Sequence, residues 1–303
     1  MLNFIIKLLR HWTIFKYWII AIRPKTLTIS LSPVLLGGAL ACEHGCFYMF
    51  YFFMTAITAL LIQIGTNLCN DYFDFVKGAD TEERIGPIRV TQAGLISPIK
   101  IKLGFVFFFI FAAITGAILV HRCGAPIFII GSFSLIFGFL YTAGPYALAY
   151  IGFAEIFVIL FFGPIAVAGT YFIQTLDWNI ITIVSGIMLG LIACSILVLN
   201  NSRDIEQDRK ANKKTLAVRF GPKFANQEYV YCMVLSSTIA YYLSAIVTSI
   251  TLLIVTILTE RRVLNNLITQ SALLMPGLTL LFIFENLLNA LIANNIIYLN
   301  ILI

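Results

Sequence analysis

Apolar residues in this chain fall into long blocks separated by short polar stretches. A helix needs about twenty apolar residues to cross the hydrocarbon core of a bilayer. Windows of that kind predict spans near 25–41, 47–68, 101–121, 125–142, 151–173, 179–200, 226–243, 245–259 and 268–292. The stretch 229–259 is ambiguous by length, being long for one span and short for two. The opening "MLNFIIKLLRHWTIFKYWIIAIRPK" alternates apolar and basic residues and has no small-residue cleavage site before the next span. It predicts an amphipathic arm over 1–20 lying on the membrane surface, followed by a single transmembrane domain over 21–303.

Composition agrees. Of the 303 residues, 60% are hydrophobic and only 11% charged, with a mean hydropathy of +0.95. Soluble domains carry about 25% charged residues, so a soluble fold is excluded and one helical bundle is expected. Charge also resolves the ambiguous stretch. With nine spans and the N-terminus inside, 19 of the 20 Lys and Arg residues fall on the inner face, and only Arg122 lies outside. An eight-span arrangement would place Arg261 and Arg262 on the wrong face. The net charge of +6 sits in short loops beside spans, where anionic lipid headgroups account for it. Nucleic acid is therefore not an expected partner. Six scattered cysteines form no CxxC; the sequence leaves a disulfide or a weak metal site open at Cys42 and Cys46, with free thiols the commoner outcome. His11, His44 and His121 are too dispersed to suggest a zinc site.

Two inner loops hold most of the polar chemistry, "NLCNDYFDFVKGADTEERIGPIRVTQAGLISP" (67–98) and "NNSRDIEQDRKANKKTLAVRFGPK" (200–223). If the preceding spans continue as helices, Asn67, Asn70, Asp71 and Asp74 recur at i, i+3, i+4 and i+7, and Asn200, Asp204 and Asp208 at i, i+4 and i+8. Carboxylates at a helix C-terminus meet the negative end of the dipole, so these two sets need compensation. Mg²⁺ supplies it, taking oxygen from a few carboxylates and from substrate phosphates. The neighbouring Lys77, Arg84, Arg89, Arg203, Lys213 and Lys214 suit phosphate oxygens. Asp71, Asp74, Asp204 and Asp208 are thus the expected metal ligands, whereas Glu82, Glu83, Glu206 and Arg209 read as solvated loop charges. The 26 Phe and 13 Tyr would suit a channel for a greasy tail and would stabilise a carbocation, although Phe is abundant in any membrane bundle.

Four blocks carry a family resemblance: "AIRPKTLTISLSPVLLGGALA" (21–41), residues 70–98, "YTAGPYALAYIGFAEIFVILFFGPIAVAGTYFIQT" (141–175), and residues 200–221. They resemble the UbiA superfamily of intramembrane aromatic prenyltransferases, and within it the branch acting on 1,4-dihydroxy-2-naphthoate. The resemblance implies a bundle of nine transmembrane helices with a central cavity opening to the cytoplasmic side of a bacterial inner membrane. It implies Mg²⁺, a polyprenyl diphosphate and an aromatic acceptor. By it Asn70, Asp74 and Asp80 fill a first acidic motif with Asp71 beside them, and Asn200, Asp204 and Asp208 fill a second. Arg84, Arg89 and Arg203 would hold diphosphate, with Lys77 a weaker candidate, and Tyr141 would sit at the cavity. Glu155 stands where many relatives are expected to have aspartate.

Two other readings use the same residues. A related enzyme acting on 4-hydroxybenzoate shares both acidic motifs. A cation-coupled transporter would instead hold its acids near the bilayer midplane on broken helices. Glu285, an acid inside the last apolar window, has no role from sequence.

Overall fold

The computed structural model describes residues 2–81, 86–243, 245–261, 275 and 277–286, and the described residues are all-helical. In chain order the helices are α1 (Leu2–Ile22), α2 (Pro24–Glu43), α3 (Met49–Val76), α4 (Pro98–Cys123), α5 (Ala125–Leu140), α6 (Leu148–Ile151), α7 (Ala154–Phe161), α8 (Pro164–Thr175), α9 (Ile180–Arg203), α10 (Ile205–Lys210), α11 (Leu216–Phe220), α12 (Pro222–Tyr242) and α13 (Ile246–Arg261). A further helical segment covers Gly277–Asn286. Proline stands in the first turn of α2, α4, α5, α8 and α12, where its missing N–H would have no helical partner anyway.

Five helical units are long and apolar enough to cross a membrane: α2, α3, α4, the α7–α8 pair and α9. They coincide with five of the nine windows. α5 fills the 125–142 window with 16 residues, about 24 Å of helix. The 229–259 stretch is divided between two helices. α12 ends at Tyr242, α13 starts at Ile246, and the Ser237 hydroxyl bonds Ser249 across the turn at 2.9 Å. Most of the 268–292 window, together with Arg262, Arg84, Glu82 and Glu83, lies outside the described residues.

Glu285 acquires a role here. Its carboxylate accepts from the Val247 and Thr248 backbone amides at 2.6 and 2.9 Å and from the Thr248 hydroxyl at 2.9 Å. It therefore caps the N-terminus of α13, whose first amides have no partner within the helix, and its charge complements the positive end of the dipole.

The bundle is held by close backbone approach around α9. Side chains added at Gly186 or Gly190 would strike the backbone of Pro164 or Ile159, so only glycine lets α9 lie against the α7–α8 junction. Pro164 interrupts that span by lacking an N–H for the turn before it. At one end of the bundle Arg122 explains its isolation from the other basic residues. It donates to the Ile173 and Gln174 carbonyls at 2.8 and 3.1 Å, at the C-terminus of α8, and lies over the Tyr48 and Tyr51 rings at 4.4 and 4.2 Å. Cys42 and Cys46, near that end, are free thiols.

The opposite end carries the two polar loops. α3 has 28 residues, about 42 Å of helix against a hydrocarbon core of about 30 Å. Its last turns bear the first acidic motif. The following loop folds back, burying Val90 and Ile96 beside Leu68 and Ile101. The second loop is stapled to α6: the Lys214 amide donates to the Tyr150 carbonyl at 2.9 Å, and Arg219 donates to the Ile151 carbonyl at 2.8 Å. Gly152, at φ 78°, makes this approach possible, because a Cβ there would meet the Lys214 carbonyl oxygen at 2.8 Å.

Candidate functional site

Between these loops and the bundle lies a cavity of about 670 Å³. Its wall on α3 runs from Ala59 to Asp74, about 22 Å along the helix axis. The deep part is apolar and aromatic, with Ile62, Phe137, Phe157, Phe161, Phe162 and Leu197. The loop end is polar and charged. Asn67, Asn70, Asp74, Arg89, Tyr141, Asn200, Arg203, Asp204, Asp208 and Lys213 all line it, so ten of the residues singled out from sequence share one chamber.

The first motif is held by the end of α3. Asp74 is 3% exposed, yet three polar groups reach it. The Tyr150 hydroxyl donates to Oδ1 at 2.8 Å, Lys213 Nζ lies 3.3 Å from the same oxygen, and Arg89 Nη2 lies 3.4 Å from Oδ2. Arg89 is itself buried, and its Nε stands 3.4 Å from Asp80 Oδ2. Asn70 lines the cavity, and its buried Oδ1 has no hydrogen-bond partner.

In the second motif, the regular part of α9 stops at Arg203, but the backbone keeps helical spacing. The Asp204 amide donates to Asn200 and the Asp208 amide to Asp204, at 3.1 and 2.8 Å. Arg203 grips Asp204 with two bonds of 2.6 and 2.7 Å. Lys213 Nζ lies 3.9 Å from Asp208 Oδ1, and so one ammonium group spans the two motifs.

Three residues singled out from sequence do not line the cavity. Asp71 is 2% exposed and faces away, because consecutive helical residues diverge by about 100° and Asn70 and Asp74 take the cavity side. Asp80 is 7% exposed and holds Arg89. Lys77 caps the turn after α5, donating to the Thr142 and Gly144 carbonyls at 2.7 and 2.9 Å. Burial lowers its pKa below the usual lysine value, and the nearby Asp74 partly offsets this. Arg84 lies outside the described residues.

Two residues, one touching the chamber's Asp74 and one lining the chamber, were not legible as site residues. Tyr150 is the first: besides holding Asp74, its ring lies under Lys77 Nζ at 4.2 Å and Lys213 Nζ at 4.9 Å. Burial, and then the Asp74 carboxylate, push its hydroxyl pKa far above the ordinary tyrosine value, so it remains a donor. The second is Arg23, a cavity-lining cation at the α1–α2 junction. Arg-Pro and Tyr-Ile-Gly in the sequence mark turns, but nothing local marks which turn reaches the site.

Among the described residues no three His, Cys, Asp or Glu side chains converge as a ready-made metal cluster. The donor set still fits a hard divalent cation. Asp74, Asp204 and Asp208 offer carboxylate oxygens to one chamber, and Asn70 brings a buried oxygen with no donor to accept from. Such a cation keeps several ligand positions for phosphate and water, so it does not require three protein groups in one cluster.

The chain matches the UbiA prenyltransferase family over residues 30–289. It is 37% identical over 245 residues to the 1,4-dihydroxy-2-naphthoate octaprenyltransferase of Haemophilus influenzae, covering 78% of this chain and 79% of that protein. Its identity to the enzyme of the same name from Escherichia coli K12 is 36% over 228 residues, covering 73% and 74%. Among solved structures, it is similar to a UbiA homologue from Archaeoglobus fulgidus bound to DMAPP and Mg²⁺. The TM-score is 0.66 at 17% identity, over 88% of this chain and 98% of that one, a likeness of fold.

Proposed function

The chain belongs to the UbiA prenyltransferase family, and from that we propose transfer of a polyprenyl group from its diphosphate to 1,4-dihydroxy-2-naphthoate, with loss of diphosphate and CO₂, giving demethylmenaquinol. It is an aromatic prenyltransferase. The observation that carries the finer reading is the meeting of Asp74 and Asp208 at one Lys213 ammonium, at the polar end of an aromatic-lined cavity.

Asp74, Asp204 and Asp208, with the Asn70 and Asn200 amides, would hold Mg²⁺. When bound, Mg²⁺ neutralises the diphosphate and makes it a better leaving group. Arg89, Arg203 and Lys213 already stand against these carboxylates, and they turn their donors to phosphate oxygens when substrate enters. Asp80 keeps Arg89 on station. The allylic C–O bond breaks, its electron pair leaving with diphosphate, and cavity aromatics such as Phe137 and Phe157 face the cation that develops. The naphthoate ring carbon that bears the carboxylate supplies the new bond. The electrons of the ring–carboxyl bond return to the ring as CO₂ departs, so no oxidant or reductant is needed. Positioning and charge stabilisation carry the step without a covalent enzyme intermediate.

The membrane arrangement follows the charge count. α5, α12, α13 and the 268–292 segment join the five longer units as spans, nine in all, with α1 on the surface and residues 21–303 as one domain. The polar loops then lie on the cytoplasmic side of a bacterial inner membrane. A test of the whole reading uses membranes containing the full chain, labelled polyprenyl diphosphate, Mg²⁺ and either 1,4-dihydroxy-2-naphthoate or 4-hydroxybenzoate. The expected product is a prenylated naphthoquinol from the first acceptor only. Product from 4-hydroxybenzoate alone would reassign the acceptor, and uptake of substrate without diphosphate release would favour a transporter.

A further inference from the structure

Asn67 precedes the acidic motif on α3 and lines the cavity. In the structure both amide hydrogens are engaged elsewhere: Nδ2 donates to the Ile22 carbonyl and to the Thr26 hydroxyl oxygen, each at 2.8 Å. Its Oδ1 accepts from Gln63 Nε2 at 3.3 Å. The two acceptors bracket a single turn. Within it, Arg23 has φ 56° and ψ 72°, a left-handed backbone that side-chain-bearing residues rarely adopt. Thr26 closes the bracket, its amide and its hydroxyl each donating to the Arg23 carbonyl at 2.9 Å.

A disfavoured backbone persists only where its surroundings enforce it, and such positions concentrate at functional sites. The enforcement here comes from the helix that carries the first acidic motif, and the residue enforced is a cation that lines the cavity. We infer that Asn67, acting with Thr26, is a positioning residue that locks the α1–α2 turn so that Arg23 presents its guanidinium to an anionic group of the substrates. The inference rests on the prenyl-transfer reading for the identity of those substrates.

The anion Arg23 meets is either the diphosphate or the acceptor carboxylate, and kinetics separates the two.

The test uses the full chain in lipid nanodiscs, varying each substrate in turn, for wild type, Asn67→Ala, Thr26→Val, Thr26→Ser, Arg23→Ala and the Asn67→Ala/Arg23→Ala double variant. Asn67→Ala and Thr26→Val should raise the KM for one anionic substrate about tenfold, a shift of about one decade in affinity, with kcat changed far less. Thr26→Ser keeps the hydroxyl and should stay near wild type. The double variant should be no worse than Arg23→Ala alone, because both act on one group. Independent, multiplying effects of the two substitutions would overturn the inference, as would unchanged KM values in Asn67→Ala and Thr26→Val. Binding of inorganic diphosphate with Mg²⁺, and of 1,4-dihydroxy-2-naphthoate, is measured on the same variants by calorimetry. If wild type transfers no prenyl group, the functional reading fails. The same variant pattern in the binding data then upholds the positioning role, and its absence rejects it.

Discussion

The Tyr150 hydroxyl donates to Asp74 Oδ1 at 2.8 Å, joining the turn between α5 and α7 to the end of α3 across 76 residues of sequence. The same oxygen lies 3.3 Å from Lys213. Three segments far apart in the chain therefore fix one carboxylate, and its orientation depends on all of them.

Replacing Tyr150 with Phe removes the hydroxyl and keeps the ring beneath the two lysines. A hydrogen bond to a charged group contributes about 1.5–3 kcal/mol, so kcat/KM for the prenyl diphosphate should fall by about one to two decades. Steady-state kinetics on Tyr150→Phe checks this. Wild-type values would mean that Arg89 and Lys213 suffice to hold Asp74.

The pH response of Tyr150 has a definite sign. Its folded pKa is raised above the ordinary 10.0, by burial first and Asp74 second. Its contribution to stability is therefore complete below the ordinary tyrosine value and is lost as pH rises above it. Thermal unfolding of wild type should weaken above pH about 10 more steeply than that of Tyr150→Phe. Parallel curves for the two proteins would contradict the assignment.

Lys213 spans the two motifs, 3.3 Å from Asp74 and 3.9 Å from Asp208. Lys213→Met should cost diphosphate affinity about tenfold or more, since it leaves the carboxylates facing each other and removes one phosphate donor. Titration with inorganic diphosphate and Mg²⁺ reads this directly. Equal affinity would show that Lys213 only closes the loop.

Glu285 caps α13 with both carboxylate oxygens. Glu285→Ala should destabilise the protein by about 1–2 kcal/mol, the range for losing a helix cap, and Glu285→Gln by less. Thermal unfolding in detergent distinguishes them. Equal losses in both variants would point to charge rather than to capping.

Much of this was legible in the sequence, for identifiable reasons. Apolar windows reproduce α2, α3, α4 and α9 because the bilayer fixes span length. The break between α12 and α13 divides the 229–259 stretch, which is too long for one span. Asn70, Asp74, Asn200, Asp204 and Asp208 share a chamber because helical spacing is local and readable. What escaped depends on contacts between distant segments. Asp71 looks equivalent to Asp74 until the phase of α3 relative to its neighbours is known. Asn67 and Lys77 look like ligand groups until carbonyls of other segments take up their hydrogens. Tyr150 and Glu285 gain their roles only from partners 76 and 37 residues away.

The central claim is that the two acidic motifs act together to hold a metal-bound diphosphate. Its most direct test is calorimetric titration of the full chain with an inert prenyl thiolodiphosphate, with and without Mg²⁺, in wild type, Asp74→Asn and Asp208→Asn. The account predicts binding that needs Mg²⁺, is abolished by EDTA, and falls by about tenfold or more in each variant, at least the loss seen when only a partner of a metal ligand is removed. Binding of equal strength without Mg²⁺, or unaltered in both variants, would contradict it.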